Sequence, residues 1–361
     1  MASVSIVLNG KKIKAPRGST ILETARDHGI RIPTLCHDTR LEPYGSCRVC
    51  LVRVEGRKNL VPSCSTEVAD GMVIDTESEE VLEARHTSLA LLVSDHGGDC
   101  VSPCSLECPA NIDIQGYIAL IRSGRYREAV ALIKEKNPMP LTIGRVCPHP
   151  CESVCRRNRV DEPIAINNLK RFAADRDYES GDPWMPEKKT PTGLRAAVIG
   201  SGPAGLAAAY YLAVMGHEVT IFESKPEAGG MLRYGIPEYR LPKKVLDREI
   251  ALILRLGIEI KYNVFFGRDI TLNGLLESGY GAVFLGIGAQ LSMGMRVKGE
   301  NEEGVLSGID FLRDVALGKK PPFRGKRVLV VGGGNTAMDA SRTSIRLGAG
   351  EVVVLYRRTR K

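Results

Sequence analysis

The chain has 361 residues, of which 43% are apolar, so it is long enough for about two to four domains, each with a buried core. Its 50 basic and 42 acidic residues leave a net charge of +8, and the basic residues are scattered along the sequence. This distribution argues against nucleic-acid binding and indicates a solvated surface, with docking of an acidic redox partner as the alternative. No segment approaches the ~18 consecutive apolar residues of a membrane span.

The cysteines are unevenly placed, because all ten lie before residue 156. Met1 to Val4 has neither the charged nor the apolar part of a signal peptide, so we expect a cytoplasmic protein. The cytoplasm keeps thiols reduced, which argues against disulfides. Cysteines that served only in apolar cores would be spread along the chain, so their clustering predicts metal ligation.

The first predicted elements are two strands and a helix. Apolar residues alternate from Val4 to Leu8, Asn9-Gly10 predicts a hairpin turn, and Lys11 to Ala15 returns as a second strand. Thr20 and Glu23 have the spacing of a capping box at the start of a helix. Two strands, a helix and then a cysteine-bearing loop follow the order of a β-grasp ferredoxin.

The first cysteine group has the spacing C-x10-C-x2-C-x13-C and consists of Cys36, Cys47, Cys50 and Cys64. A 2Fe–2S cluster needs four thiolates, and the small residues of loop 45–50 allow backbone N–H groups to point at sulfur. A zinc site is the alternative, although such sites favour two close cysteine pairs and only one is present. The spacing resembles the amino-terminal ferredoxin domain of the large peripheral subunit of respiratory complex I and of iron hydrogenases.

Helical patterns predominate from about residue 81 to 177, with two short amphipathic segments, Ile114–Ile121 and Tyr126–Ile133. Two cysteine triplets flank this helical pair: Cys100, Cys104 and Cys108, and then Cys147, Cys151 and Cys155. Two 4Fe–4S clusters need about four ligands each. The six thiolates therefore predict two such clusters with two ligand positions left open.

The sequence around the second triplet resembles the small subunit of bacterial glutamate synthase. The resemblance rests on Gly144–Pro148, Cys151-Glu152, Cys155 and Glu162–Ile166, and dihydropyrimidine dehydrogenase and the NADP-binding subunit of ferredoxin-dependent transhydrogenases share this module. It implies that one 4Fe–4S cluster is held by Cys100, Cys104 and Cys155, and the other by Cys108, Cys147 and Cys151.

This chain departs from the family pattern at two ligand positions. The family usually has a fourth cysteine just upstream of Cys100, where this chain offers His96 as the nearest ligand. The family also has Gln or Glu near the position of Lys170, which is a poor ligand while protonated. We therefore expect one or two 4Fe–4S clusters, one of them completed by His96, water or a non-protein ligand.

A flavin-binding unit is predicted after a proline-rich linker at 177–193. Residues 197–205 form a strand that runs into GxGxxG and a helix from Leu206 to Met215, and the next strand ends in Glu223. The glycines allow close approach of a pyrophosphate at the helix N-terminus, and the acid accepts from a ribose hydroxyl. The family resemblance, which continues through 228–242, implies FAD. The expected FAD residues are Gly200, Ser201, Gly202, Pro203, Ala204, Gly205 and Glu223, to which the resemblance adds Val146, Gly230, Met231 and Arg240.

A second nucleotide fingerprint, G-x-G-x-x-A, follows the apolar run that ends at Val331. The next strand, Glu351 to Tyr356, ends in two arginines where an NAD site would carry an acid, and arginine pairs well with a 2′-phosphate. NADP(H) is therefore favoured over NAD(H). The expected NADP residues are Gly332, Gly333, Gly334, Asn335, Thr336, Arg357 and Arg358.

These features predict a multidomain chain. We expect a β-grasp ferredoxin domain (α+β) at 1–80, an all-α iron–sulfur domain at 81–176 and the linker at 177–193. Rossmann-like α/β domains for FAD (194–322, partial) and NAD(P) (323–361) follow. The last contains a single βαβ unit, so we expect the sequence to be partial or the remainder to lie on another chain.

The resemblance implies an electron-transfer oxidoreductase subunit that links NADP(H), FAD and iron–sulfur clusters to a partner redox subunit in a hetero-oligomer. Related fusions include electron-input subunits of anaerobic formate dehydrogenases, hydrogenases and NADPH:acceptor oxidoreductases. No protein acid, base or nucleophile is expected, since the cofactors carry the chemistry. Alternatives are a glutamate synthase small subunit, a non-enzymatic electron conduit or scaffold, and a zinc-stabilised interaction protein.

Overall fold

The computed structural model describes residues 3–96 and 100–358. The chain divides into two compact units: Met1–Leu106 with Ile118–Arg125, and Glu107–Tyr117 with Tyr126–Lys361. In the described residues, no helix combines the length and the apolar character that crossing a bilayer requires.

The first unit contains a five-stranded sheet with the strands β1 Ser3–Leu8, β2 Lys11–Pro16, β3 Leu51–Val54, β4 Val61–Pro62 and β5 Val73–Asp75. The strand order is β2-β1-β5-β3-β4, with β1 parallel to β5. The predicted hairpin is confirmed, since β1 and β2 pair antiparallel around Asn9-Gly10 and both turn residues have positive φ (49° and 78°).

The first helix, α1 (Ile21–Asp27), covers this sheet. Its predicted capping box is confirmed: Thr20 Oγ1 accepts from the Glu23 backbone N–H at 3.2 Å, and Glu23 Oε2 accepts from the Thr20 N–H at 2.7 Å. Ile21 and Leu22 are fully buried with β-strand residues in one apolar core. The loop that carries the first cysteines therefore leaves a well-anchored sheet and helix.

Short helices make up the middle of the chain: α2 Glu79–Ser94, α3 Pro103–Glu107, α4 Ile114–Arg122, α5 Tyr126–Lys134, α6 Pro140–Val146, α7 Pro150–Ser153, a 3-10 turn Arg156–Arg159 and α8 Ile166–Glu179. The two amphipathic helices predicted here are confirmed, each with one residue more at its C-terminal end than expected. In the second unit, α6 and α8 pack closely because position 144 is glycine. A Cβ there would lie 2.8 Å from Arg171 Cβ.

The second unit continues with an α/β region whose elements are β6 Arg195–Ile199, α9 Pro203–Val214, β7 Glu218–Glu223, α10 Met231–Tyr234, α11 Lys243–Leu254, β8 Glu259–Tyr262, α12 Leu272–Glu277, β9 Ala282–Leu285, α13 Gly308–Ala316, β10 Arg327–Val331, α14 Asn335–Arg346 and β11 Glu351–Leu355. A parallel sheet has the order β8-β7-β6-β9, and β10 pairs parallel with β11. The predicted parallel sheet is confirmed.

One element boundary differs from the sequence-based expectation. Helix α8 continues to Glu179, so the first residues of the expected linker are helical, and Asp177 stabilises this end by accepting from the Trp184 N–H at 2.9 Å.

Candidate cofactor sites

The four cysteines of the first group lie together on the first unit as two contacting pairs. The Sγ atoms of Cys50 and Cys64 are 3.4 Å apart, and both residues are only 1% exposed. The thiol of Cys47 is hydrogen-bonded to that of Cys36, which is exposed. In the described part of the chain, no three His, Cys, Asp or Glu side chains are arranged to hold a single metal ion. Two pairs of thiols match the two irons of a 2Fe–2S cluster, each of which takes two protein sulfurs.

The loop backbone points N–H groups at these sulfurs. The N–H groups of Val49, Cys36 and Leu35 bond to Cys47, and together with the Cys36 thiol they outweigh the effect of burial and lower the Cys47 pKa. Burial raises the pKa of Cys64 to about 11, with the neighbouring Cys50 adding to the rise. A buried thiol of this kind ionises readily only when a metal replaces its proton. The donor set therefore fits the predicted 2Fe–2S cluster.

The loop depends on two residues in the left-handed region. Gly45 has φ +65°, and a Cβ there would lie 2.8 Å from Ser65 Oγ and 3.2 Å from Pro62 Cγ. Arg48, between the paired cysteines Cys47 and Cys50, has φ +60°. These conformations turn the backbone amides inward, which explains why the sequence has glycine at the tightest point.

Three cysteines of the second group gather in the second unit. The Cys151 thiol lies within electrostatic reach of Cys147 and Cys108, and burial raises its pKa to about 11. The His149 backbone N–H donates to Cys147 Sγ at 3.3 Å, with His149 in the left-handed region (φ 45°). Three sulfur donors, one of which accepts from a backbone N–H, fit three of the about four ligand positions of a 4Fe–4S cluster, as the resemblance implies.

The other expected ligand set is divided between the two units. In the first unit, Cys100 Sγ lies 3.3 Å from His96 Nε2, and Cys104 Sγ lies 3.4 Å from Ser102 Oγ. In the second unit, Cys155 is buried and precedes the 3-10 turn. Ligation of a cluster by this set, with or without His96, stays a prediction.

The flavin fingerprint forms a nest of glycine backbone at the end of β6. Gly200 has φ +96°, and a Cβ there would lie 2.5 Å from the carbonyl oxygen of Gly286. A Cβ on Gly205 would lie 1.8 Å from the Gly200 carbonyl oxygen. A Cβ on Gly230 would lie 2.7 Å from Gly202 Cα. Such close backbone packing leaves the N-terminus of α9, which begins at Pro203, free for a pyrophosphate.

Glu223 closes this nest from the end of β7. Its Oε2 accepts from the Ser201 N–H at 2.8 Å and from Ser201 Oγ at 2.5 Å, while Oε1 accepts from the Lys225 N–H at 2.8 Å. Ser224 Oγ also donates to Oε1 at 3.3 Å, so protein donors take about four acceptor positions of this carboxylate. The role expected for Glu223, accepting from a ribose hydroxyl, stays a prediction.

The remaining expected flavin residues lie on three different elements. Val146, at the end of α6, packs against the apolar core beneath the fingerprint, and Met231 begins α10. Arg240 forms an ion pair with Asp339 of α14 at 2.6 Å, and Tyr239 bonds to the same carboxylate at 3.1 Å. The structure thus gives Arg240 a protein partner 99 residues away.

The second nucleotide loop follows β10. Gly332 has φ +126°, and a Cβ on Gly333 would lie 2.6 Å from the ring of Tyr356. Gly334 is the N-cap of α14, whose first residues are Asn335 and Thr336. Arg357 and Arg358 are exposed directly after β11. The loop therefore has the backbone form of a phosphate-binding turn, with two cationic groups at the neighbouring strand end.

Sequence reasoning missed a buried carboxylate that joins the cluster-bearing helices to the α/β region. Glu249 of α11 is 1% exposed and accepts from the Leu141 and Thr142 N–H groups at 2.9 and 2.6 Å, at the start of α6. Burial raises its pKa to about 7, although these bonds and Lys134 act in the opposite direction. The available signal was an acidic residue within the apolar stripe of α11, next to Ile250.

Three families match successive parts of the chain. Residues 1–79 match a 2Fe–2S iron–sulfur cluster binding domain, and residues 75–182 match dihydropyrimidine dehydrogenase domain II with its 4Fe–4S cluster. Residues 194–361 match the pyridine nucleotide-disulphide oxidoreductase family. The chain is therefore multidomain, with iron–sulfur domains followed by a pyridine nucleotide oxidoreductase domain.

Several curated proteins are similar to most of this chain. The chain is 46% identical over 282 residues to the NADP(+)-dependent formate dehydrogenase subunit beta of Moorella thermoacetica, a match that covers 72% of this chain and 40% of that protein. Identity is also 46% over 267 residues with the NADPH-Fe(3+) oxidoreductase subunit beta of Geobacter sulfurreducens (72% and 39%). It is 38% over 297 residues with the glutamate synthase [NADPH] small chain of Escherichia coli (78% and 62%).

The match thus spans about 40% of the length of the first two relatives. The chain is similar over most of its length to these beta subunits and to the glutamate synthase small chain, and its successive parts match the 2Fe–2S, 4Fe–4S and pyridine nucleotide-disulphide oxidoreductase families.

Proposed function

We propose that the chain transfers electrons between NADP(H) and a partner redox subunit, using FAD, a 2Fe–2S cluster and one or two 4Fe–4S clusters. One observation carries this proposal. A single compact unit contains both the thiols of Cys108, Cys147 and Cys151 and the glycine nest that ends β6. A nucleotide site and a cluster site on one packed unit are what short-range electron transfer requires.

The packing of α6 brings these two sites together. Ile143 and Val146 of α6 pack against the apolar core that includes Val198 of β6 and Leu206 of α9, the elements on either side of residues 200–202. Cys147 follows Val146, so a proposed cluster ligand is next in the chain to a residue that packs on this core. Glu249 then fixes the other end of α6 to α11.

When bound, FAD supplies hydride exchange with NADP(H) and single-electron exchange with the clusters. The protein binds and orients these groups. The Gly200–Gly205 turn would approach the pyrophosphate, Glu223 would accept from the ribose, and Arg357 and Arg358 would pair with the 2′-phosphate of NADP(H). The cysteine thiolates would hold iron, and the amides around Cys47 would stabilise the negative charge on sulfur.

The finer architecture belongs to the same proposal. We infer that the first sheet and helix form a β-grasp ferredoxin, that the helices between them and β6 form an iron–sulfur domain, and that the two parallel sheets are Rossmann-like. The mixed sheet with β1 parallel to β5, and the parallel order β8-β7-β6-β9, support these assignments. A cytoplasmic location and assembly with a catalytic partner subunit follow from the relation to the named beta subunits.

The test is an anaerobic titration of the full-length protein with NADPH. We expect bound FAD, iron and acid-labile sulfide, and a loss of the visible flavin band as NADPH is added. Failure of both NADPH and NADH to bleach the flavin of an FAD-loaded protein would refute the proposal. A preparation containing zinc, or no metal, would refute the cluster assignments.

A glutamate synthase small subunit is the second candidate, favoured by the relation to the E. coli small chain over 62% of its length. The 2Fe–2S domain at residues 1–79 lies outside that role. Glutamine-dependent NADPH oxidation with a glutaminase partner would support this candidate. Electron transfer to a formate dehydrogenase or metal reductase subunit without glutamine would exclude it.

A further inference from the structure

The first turns of α8 are held tightly against the cluster-bearing helices. The Asn167 side-chain amide donates to the Gly144 carbonyl oxygen at 3.1 Å, and the Asn167 backbone N–H donates to Glu152 Oε1 at 2.9 Å. Gly144 lies in α6, three residues before Cys147, and Glu152 directly follows Cys151. The face of α8 that contains Asn167 is therefore fixed next to both cysteines.

Lys170 lies three residues further along α8, and so on the same face as Asn167. The residue is 6% exposed. Its charge favours the thiolate form of Cys151, whereas burial, Cys147, Glu152 and Cys108 all oppose ionisation of that thiol. Within residues 3–96 and 100–358, Lys170 forms no ion pair with a carboxylate.

A buried ammonium group is costly unless an anion lies close to it. The buried Cys151 sulfur lies within electrostatic reach of Lys170, and it is neutral as a thiol and negative as an iron ligand. The buried cation and this sulfur therefore complement each other only when iron is bound. This complementarity is independent of the cysteine spacing that first indicated a cluster.

We propose that Lys170 is a positioning residue whose ammonium group balances the negative charge at Cys108, Cys147 and Cys151 and raises the reduction potential of the 4Fe–4S cluster bound there. This inference rests on the proposed function. An electron that reaches the cluster would come from NADPH through the flavin, and no bond to Lys170 would form or break. The positive charge of Lys170 favours the reduced form of the cluster, because a nearby cation stabilises the added negative charge.

The test compares Lys170→Gln and Lys170→Arg with the wild type as complete, anaerobically prepared holoproteins. Arg171→Gln is the matched control, because it removes a positive charge from the next residue of α8, whose side chain is half exposed and lies 3.5 Å from Asp175. The midpoint potential of the 4Fe–4S cluster is followed by electron paramagnetic resonance during a redox titration. Iron and sulfide contents are measured on the same samples.

We expect Lys170→Gln to lower the ratio of reduced to oxidised 4Fe–4S cluster, measured at the midpoint potential of the wild type, at least tenfold. This corresponds to a fall in midpoint potential of about 59 mV for one electron. Lys170→Arg and Arg171→Gln should change that ratio less than threefold. An unchanged potential in a Lys170→Gln protein with full iron content would overturn the inference and leave the proposed function intact.

Loss of the cluster in Lys170→Gln would also decide between two roles for the residue. Assembly of the cluster in Lys170→Arg would then support the charge-balancing role, whereas loss in both variants would assign a purely steric role and overturn the inference. Wild-type protein with bleachable flavin but no 4Fe–4S signal would remove the cluster from the proposed function itself. The two failures are therefore distinguishable.

Discussion

At the scale of single residues, alanine substitutions of Gly45 and Gly56 distinguish the effect of a steric contact from the effect of backbone strain. Both have positive φ (+65° and +80°), but a Cβ on Gly45 would lie 2.8 Å from Ser65 Oγ whereas Gly56 has open space. Either alanine substitution introduces left-handed strain of about 1–2 kcal/mol. We expect only Gly45→Ala to lower the 2Fe–2S content, because it also displaces the loop amides that contact sulfur.

Visible circular dichroism and iron content of the two variants measure this difference. Equal cluster content in both variants would show that the close contact at Gly45 is unimportant for cluster binding.

Two glycines of the flavin fingerprint differ in the same way. A Cβ on Gly205 would meet the Gly200 carbonyl oxygen at 1.8 Å, whereas a Cβ on Gly202 would have Gly230 Cα at 3.9 Å as its nearest neighbour. We expect Gly205→Ala to prevent folding of the second unit. Gly202→Ala should fold with normal iron content but bind FAD at least tenfold more weakly, because its methyl group lies where the pyrophosphate approaches.

Flavin fluorescence titration of the apo-flavin protein, together with iron analysis, distinguishes the two outcomes. Wild-type FAD affinity in Gly202→Ala would contradict the assignment of this turn to the pyrophosphate.

At the scale of elements, the junction of α6 and α11 should respond to pH through Glu249. Its pKa is raised from 4.5 to about 7, so between these values the folded chain holds a proton that the unfolded chain has lost. Stability from this group is therefore complete below about pH 4.5 and is lost as pH rises to 7. A shift of this size corresponds to at most about 3 kcal/mol.

Thermal unfolding of Glu249→Gln measures this contribution, because glutamine stays neutral. The melting temperature of the variant relative to wild type should rise between pH 5.5 and pH 8. Lys134 interacts electrostatically with Glu249, so the measured pH trend belongs to this pair. Glu277→Gln, at an exposed position of α12, is the control and should show no such trend. A pH-independent difference for Glu249→Gln would mean that the carboxylate stays ionised.

Local elements could be predicted from the sequence, whereas their partners could not. The hairpin at Asn9-Gly10, the capping box of Thr20 and Glu23 and the strand that ends in Glu223 depend on neighbours within a few residues, so their patterns are visible in the sequence. The bonds from Glu249 to α6 join residues 107 and 108 positions apart. No local periodicity records such a pairing, which arises only when the helices pack.

The same reasoning applies to the candidate sites. Cys47 and Cys50 share a loop, so the chain itself keeps them near each other, whereas the contact of Cys50 with Cys64 arises only on folding. The expected flavin role of Arg240 was inferred from its segment, and the segment does not show that Asp339 competes for the guanidinium. Side chains that serve two partners are therefore assigned least well from sequence.

At the scale of the whole molecule, the contact between Arg240 and Asp339 joins the segment after α10 to the second nucleotide-binding region. Tyr239 bonds to the same carboxylate, and Arg346 of α14 stacks on the Tyr239 ring at 3.9 Å. A charged hydrogen bond of this kind contributes about 1.5–3 kcal/mol. Loss of the contact should loosen the position of bound NADPH relative to the flavin.

We expect Asp339→Asn to slow flavin reduction by NADPH roughly tenfold, which corresponds to about 1.4 kcal/mol, without changing FAD content. Asp310→Asn removes a similar arginine pair with Arg313 at the surface of α13 and should leave the rate unchanged. Stopped-flow absorbance gives both rates. Equal rates in the two variants would show that the contact has no part in positioning the nucleotide.

The closeness of Cys50 and Cys64 also has a consequence for damage in air. Once iron is lost, two sulfurs 3.4 Å apart and shielded from solvent need only a small rotation to reach the ~2 Å of a disulfide. Oxygen would then convert the emptied site into a crosslink rather than into irreversible sulfur acids. Repair of an aged sample should accordingly require a dithiol before iron and sulfide are restored.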